Sequence, residues 1–283
     1  MQKRNVLNSP RLLELKKHRR RVILNKIFLS LVALLVVCAG FAYLARLKQL
    51  NIGEIEITGN KTIDSETIKA SVEKDIAGYY LGVFPKTNIL FYPESKIKDD
   101  LFLQFKQFKD ITFSIKDEKT LEVSISEREA KYLWCGATLP QDTEKCYFMD
   151  ETGFIFAEAP YFSGEVYFKF YGIANTLKGN FEKFISFKKT LENMGLKPVT
   201  LYIEENGNTE ILLSGTPTKP EIIFKNDSDL QVIAENLEAA LSVEPLQSEF
   251  KNKYASLEYI DLRYGNKVYY KFSAQGGSAS GGK

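Results

Sequence analysis

The residues able to do acid–base, nucleophilic or metal chemistry are unevenly placed along this chain of 283 residues. Its single histidine, His18, lies in a basic run near the N-terminus. A Ser-His-Asp or Cys-His arrangement, or a site with several histidine ligands, is therefore impossible in anything folded further along. No G-x-x-x-x-G-K-[ST] run is present to cradle a phosphate. Cys135 and Cys146 have ten residues between them. In an oxidising compartment they can close a disulfide across a hairpin; the alternative is two unpaired thiols, because spacing alone does not make their Cβ atoms face each other. Two cysteines without histidine make a poor zinc set. Glu54, Glu56, Glu122 and Glu127 alternate along segments that read as strands, the pattern of a solvated face rather than of a glycosidase-like acid pair. Asp261 and Arg263 stand two apart and can pair with each other or with a neighbouring strand. A Ser-Lys catalytic pair has no distinguishing signal. No catalytic residue, metal site or cofactor is expected.

The elements that would hold such residues begin with a membrane segment. Ile27 to Ala45 is a run of 19 residues without a charge. As a helix it spans about 28 Å, close to the hydrocarbon thickness of a bilayer. The basic run Lys16-Lys17-His18-Arg19-Arg20-Arg21 precedes it, and only Arg46 and Lys48 follow closely. The heavier basic flank stays in the cytoplasm, so the expected topology is a basic cytoplasmic tail (1–26), one span (27–45) and an extracytoplasmic remainder. A cleaved signal peptide is the alternative; its positive region would be unusually long, and no A-x-A site follows the apolar run. Cys38 raises a lipoprotein reading, but Val37 stands where a small residue is expected. The whole chain is +2 from 38 basic and 36 acidic residues, yet its first 26 residues hold nine Lys or Arg against Glu14 alone. The remainder is net acidic, which excludes a basic surface built for nucleic acid.

Two small units follow. In the first, Ile52 to Thr58 alternates as a strand, and Asp64 can cap a helix with Ile68, Val72 and Ile76 on one face. A loop with Gly82 and Pro85 leads to a second helix from Pro93 to about Phe105. Strands at 108–116 and 120–127 are joined by Asp117-Glu118, giving β-α-α-β-β over about 50–128. The second unit, 129–272, reads as a mixed β-rich domain: a strand at 166–171, a helix at 181–194, an alternating strand with Val199, Leu201 and Ile203, a Gly207-Asn208 turn into 211–214, and a strand at 221–224. A helix over 229–241 carries Ile233, Leu237, Ala240 and Leu241, and a final hairpin joins 257–264 to 267–272 through Gly265-Asn266. The tail, 273–283, is Gly/Ser-rich and reads as flexible. The fold class is α+β behind a single membrane helix.

The order of these elements and their residues resembles a POTRA domain, and the wider layout resembles the FtsQ/DivIB family of bacterial cell-division proteins. Ile55-Glu56-Ile57-Thr58-Gly59-Asn60 looks like the family's first POTRA strand and turn, and Lys119 to Arg128 like its closing strand ending in Glu-Arg. Tyr132-Leu133-Trp134 and Met149-Asp150-Glu151-Thr152-Gly153-Phe154 resemble its aromatic strand and Asp-x-x-Gly hairpin. Tyr259 to Val268 is similar to its final hairpin. The segment between Cys135 and Cys146 departs from the family's short turn.

The resemblance implies a non-enzymatic division scaffold at the septum. It would bind two small single-pass coiled-coil proteins of the FtsB and FtsL type through its terminal β region, with the POTRA-like domain aiding recruitment. Tyr259, Tyr264, Lys267, Val268, Tyr269, Tyr270, Lys271 and Phe272 are then the candidate contacts, on an edge strand able to accept a partner's strand. Neither nucleic acid nor a small-molecule substrate is expected. One other class stays open, a membrane-anchored envelope enzyme or regulator acting on cell-wall polymer. A component of outer-membrane assembly is the weaker reading, because it expects several POTRA repeats and a long alternating-strand barrel and this sequence shows neither.

Overall fold

A computed structural model describes residues 10–139, 145–215 and 219–273. It is a mixed α/β structure with one long apolar N-terminal helix and a β-rich body, dividing into two compact units between Glu127 and Arg128. The expected Gly/Ser tail lies outside the described residues apart from Ser273.

The first unit opens with α1 (Pro10–Ala45), the one described helix long and apolar enough to cross a membrane. It starts well before Ile27, so the basic run at 16–21 is itself helical; Pro10 fits a first helical turn, where its missing N–H costs nothing. After β1 (Glu54–Thr58) comes α2 (Ser65–Ile76), whose start is fixed by the Asp64 carboxylate accepting from Glu66 N and Thr67 N at 3.1 and 3.2 Å. Its Ile68, Val72 and Ile76 are buried as the spacing predicts. The expected plain loop instead contains a two-strand hairpin, β2 (Tyr79–Tyr80) and β3 (Phe84–Pro85). Then come α3 (Glu94–Gln104), β4 (Phe108–Lys116) and β5 (Thr120–Glu127). The sheet order is β1-β5-β4, with β1 parallel and β4 antiparallel to β5. Ile55, Leu121, Val123, Ile125 and Ile111 of this sheet share a core with α2 and α3. The turn after β1 admits only glycine: Gly59 has φ +80, and a Cβ there would stand 2.2 Å from the carbonyl oxygen of Ile125.

Glu127 corrects the expectation of a solvated strand face. Its carboxylate accepts from Lys61 N at 2.7 Å, Thr62 N at 3.0 Å and Thr62 Oγ1 at 2.5 Å, closing the turn that follows Gly59. Burial alone would push this carboxyl up, but those donors outweigh it and hold the pKa below the usual Glu range. Glu54 does stand exposed, while Glu56 and Glu122 both meet Lys116.

The second unit holds a nine-stranded sheet. Its strands are β6 (Tyr132–Trp134), β7 (Tyr147–Met149), β8 (Ile155–Glu158), β9 (Phe168–Tyr171), β10 (Pro198–Ile203), β11 (Asn208–Leu213), β12 (Glu221–Lys225), β13 (Leu257–Tyr264) and β14 (Lys267–Phe272), in the order β14-β13-β12-β11-β10-β9-β6-β7-β8. Two helices, α4 (Ala174–Asn193) and α5 (Leu230–Leu241), pack on one face and bury Phe181, Phe184, Phe187, Leu191, Ile233 and Leu237 against it. A short α6 (Leu246–Lys253) precedes β13. The expected helix at 181–194 starts earlier because Leu177 extends its buried stripe by one turn, with Gly179 facing open space. Helix α6 escapes sequence reading because Leu246 is its only buried residue. On α5 it is Ala234, not Ala240, that is buried beside Ile233 and Leu237. The alternation expected through Val199 breaks at a bulge between Pro198 and Thr200. Strand β9 starts at Phe168, leaving Val166 exposed.

Candidate partner-binding edge

Strand β14 ends the sheet: among the described residues it pairs with β13 alone. Its side chains alternate, with Lys267, Tyr269 and Lys271 exposed and Val268, Tyr270 and Phe272 half-buried against the core beneath α5. The alternation is the reason this polar-looking segment stays in place. One side of it is anchored by apolar contact, and the other is left to solvent. An unpaired strand edge carries a row of free N–H and C=O groups, the chemistry by which a sheet accepts another strand.

The eight residues singled out from sequence thus separate into two sets. Register places Tyr259 opposite Lys271, Tyr264 opposite Lys267, and Asp261 opposite Tyr269, so Tyr259, Tyr264, Lys267, Tyr269 and Lys271 share the helix-free face. Tyr264 and Tyr269, each about half exposed, meet edge to face with centroids 5.3 Å apart. The Arg263 guanidinium lies 5.7 Å from the Tyr264 ring, and Lys271 Nζ reaches Glu258 Oε2 at 2.5 Å. Val268, Tyr270 and Phe272 face the helices instead and can meet a strand only through their backbone.

Asp261 and Arg263 pair with each other, as one of the two sequence options allowed. Arg263 Nε donates to Oδ1 at 2.9 Å, Nη2 to Oδ2 at 2.6 Å, and the Arg263 backbone N–H to Oδ1 at 3.1 Å. Burial would push Asp261 up, but this fork outweighs it and holds the carboxyl below its usual range.

Sequence reading missed the rest of this face, because strand order cannot be read from alternation. Pairing runs in a continuous row, Tyr171–Tyr202–Glu210–Ile223–Asp261–Tyr269, from β9 across to β14. A second row runs Lys169–Thr200–Leu212–Glu221–Tyr259–Lys271. Glu210 and Glu221 are diagonal neighbours in these rows. Burial, then the charges of Glu221 and Glu204, push Glu210 up to about 7, while Arg263 pulls the other way. Glu221 is raised by burial and Glu204. The face is therefore acidic at its centre and basic along the β14 rim.

A cleft of about 650 Å³ opens further along, lined by Tyr161, Glu165, Lys169, Tyr171, Ser214 and Lys219 among others. Glu165 is the one carboxylate among its described lining residues, and Lys219 Nζ lies 2.9 Å from it. Burial would raise Glu165, but Ser214 and Lys219 outweigh it and hold it low. A general acid needs the opposite shift. No cluster of three metal-ligating side chains occurs among the described residues.

Two further sequence features have structural roles. Cys135 and Cys146 are joined in a disulfide at the start and end of the segment between β6 and β7. Asp150, fully buried, accepts from Arg128 Nη1 at 2.5 Å, Thr152 N at 2.8 Å, Thr152 Oγ1 at 2.7 Å and Phe154 N at 3.0 Å. Gly153 follows with φ +81, where a Cβ would strike the Phe181 ring at 2.8 Å. The Asp-x-x-Gly spacing is thus what this turn requires: a buried acceptor and then a residue without a Cβ. Compared with known proteins, the chain matches no family model and no curated protein at a significant level.

Proposed function

We propose that this chain is a non-enzymatic, single-pass scaffold of the FtsQ/DivIB type, which recruits small coiled-coil membrane partners of the FtsB and FtsL type by adding their strand to β14. The observation that carries the reading is the outer edge of β14, which pairs with no second strand among the described residues, with Tyr264 and Tyr269 exposed beside it. Backbone pairing would supply affinity, and the alternating Lys267, Tyr269 and Lys271 side chains would supply selectivity. The order of β1, α2, α3, β4 and β5 supports a POTRA-like first unit aiding recruitment to the septum. The basic positions Lys16, Lys17, Arg19, Arg20 and Arg21 support an N-terminus held in the cytoplasm, with both units outside.

The test is co-purification. Full-length chain is extracted from its native membrane in mild detergent, as wild type, as Tyr269→Ala with Lys271→Glu, and as Lys178→Glu on the outer side of α4. A small single-pass coiled-coil protein is expected with wild type and Lys178→Glu but depleted with the β14 variant. Equal recovery of that protein with all three removes β14 as the contact.

A further inference from the structure

Helix α1 does not end in a loose linker. The Ala45 carbonyl accepts from Asn51 Nδ2 at 2.9 Å and from Asn88 Nδ2 at 3.1 Å, and the Leu47 carbonyl accepts from Asn51 Nδ2 at 2.7 Å. Thr87 Oγ1 donates to Asn51 Oδ1 at 2.8 Å, Ile52 N to Thr87 O at 2.8 Å, and Ile89 N to Leu50 O at 3.0 Å. Two asparagines and a bridge thus close the open carbonyls of the helix end and fix its direction against the first unit. Arg46 Nε also donates to Val83 O at 3.3 Å, which brings the β2–β3 hairpin to the last turn of α1.

That hairpin is apolar where a water-facing loop should not be. Leu81, at its tip, is 95% exposed, and its φ of 50 is costly for a bulky side chain. Tyr79, Tyr80 and Val83 are exposed beside it, and Leu90 and Phe91 (69% and 58% exposed) follow directly on the Asn88 clamp. No acidic residue occurs from Arg46 to Gly53 or from Ala77 to Pro93. The acids at this end of the sheet, Glu54, Asp117 and Glu118, belong to the strands and their turn. Two of the three cations in these segments lie over rings: Arg46 Cζ is 5.8 Å from the Tyr79 centroid and Lys86 Nζ 5.8 Å from that of Tyr80. Aromatic rings, aliphatic tips and long basic side chains are the composition of a bilayer interface, where rings sit at headgroup level and cations reach phosphate.

We infer that the 79–83 hairpin and Leu90-Phe91 dock on the lipid surface around the C-terminal end of α1, holding the first unit against the membrane that the helix crosses. This rests on the reading of α1 as a membrane span. Docking adds a second contact beside the span, so the unit cannot tumble freely about its anchor.

The test uses full-length chain in vesicles of phosphatidylcholine and phosphatidylglycerol, carrying Cys38→Ala so that the introduced thiol is the one labelled. A nitroxide is placed at Leu81→Cys, at Phe91→Cys in the second loop, at Val36→Cys within the span, and at Lys61→Cys in the turn beyond the far end of β1. Collisional access to oxygen and to a nickel chelate is then compared. Leu81→Cys and Phe91→Cys are expected to favour oxygen and to read a depth of about 5–10 Å into the headgroup and acyl boundary. Lys61→Cys should read as aqueous. If both hairpin-side labels match Lys61→Cys while Val36→Cys reads as lipid, the docking is wrong and the span stands. If Val36→Cys also reads as aqueous, span and docking fall together.

Discussion

Changing Asp150 to Asn tests whether the Asp-x-x-Gly turn of the second unit is held by a buried charge. The carboxylate is fully buried and its partner Arg128 is nearly so, with a side chain 16% exposed. Asparagine keeps an oxygen for Thr152 N, Thr152 Oγ1 and Phe154 N but turns an NH2 group, or loses those bonds, where Arg128 Nη1 needs an acceptor. Breaking one partner of a buried pair costs about 3–5 kcal/mol, because the remaining charge is left without compensation. Arg128 keeps some favourable contact from the Phe154 ring, 4.1 Å from its Cζ, so the lower end applies and about 3 kcal/mol is expected. With a urea slope near 2 kcal/mol/M that is a midpoint shift of about 1.5 M. Trp134, the only tryptophan, donates its ring N–H to Gly172 O at 3.1 Å within the same unit and reports the transition by fluorescence. The double change Arg128→Met with Asp150→Asn should be less destabilising than the sum of the two singles. The carboxyl is held below its ordinary value: burial would raise it, but Thr152 and Arg128 outweigh that. This stability is therefore present above the unfolded value near 4 and is lost as pH falls through the lower folded value. Asp150→Asn should show no such acid-dependent part. A loss under about 0.5 kcal/mol, as at a featureless surface position, would refute the reasoning.

Cys135→Ala with Cys146→Ala should cost about 3 kcal/mol from loop entropy, read in the same urea titration, with a mobility difference between reduced and oxidised wild type confirming the bond. Glu210→Gln should flatten the pH dependence of stability. The folded pKa of about 7 lies above the unfolded one, so its favourable contribution is full below pH about 4.5 and declines as pH rises through 7. A wild type equally stable at pH 5 and 7.5 would contradict this. Asn88→Ala removes a buried side chain that donates to Ala45 O and accepts from Leu90 N, at a cost of about 1–3 kcal/mol. The clearer readout is geometric, as a broadened distance distribution between spin labels at Val36→Cys and Lys61→Cys.

Where a segment's own pattern decides its structure, the sequence was sufficient. The Asp64 cap with Ile68, Val72 and Ile76, the period-2 run of 120–127 and the Ile233 and Leu237 stripe of α5 are local signals, and all three elements form there. The final hairpin was legible for the same reason, through Gly265-Asn266 between two alternating runs. What remained hidden depends on long-range pairing. Nothing in Glu210 or Glu221 announces that β11 and β12 lie between β10 and β13, so their shared face could not be assembled. Glu127 shows the converse. Its alternation is real, yet the end of β5 meets the turn after Gly59, and a residue read as solvated becomes the acceptor that closes that turn. The hairpin at 79–85 was hidden because two-residue strands leave no period to detect.

The most direct test of the central claim is site-specific photo-crosslinking in native membranes, from Tyr269 on β14 and from Lys178 on α4 as the control. The account predicts that Tyr269 captures a small single-pass coiled-coil protein and that Lys178 does not. Capture of such a protein from Lys178 alone, or from neither position, would contradict strand addition at β14.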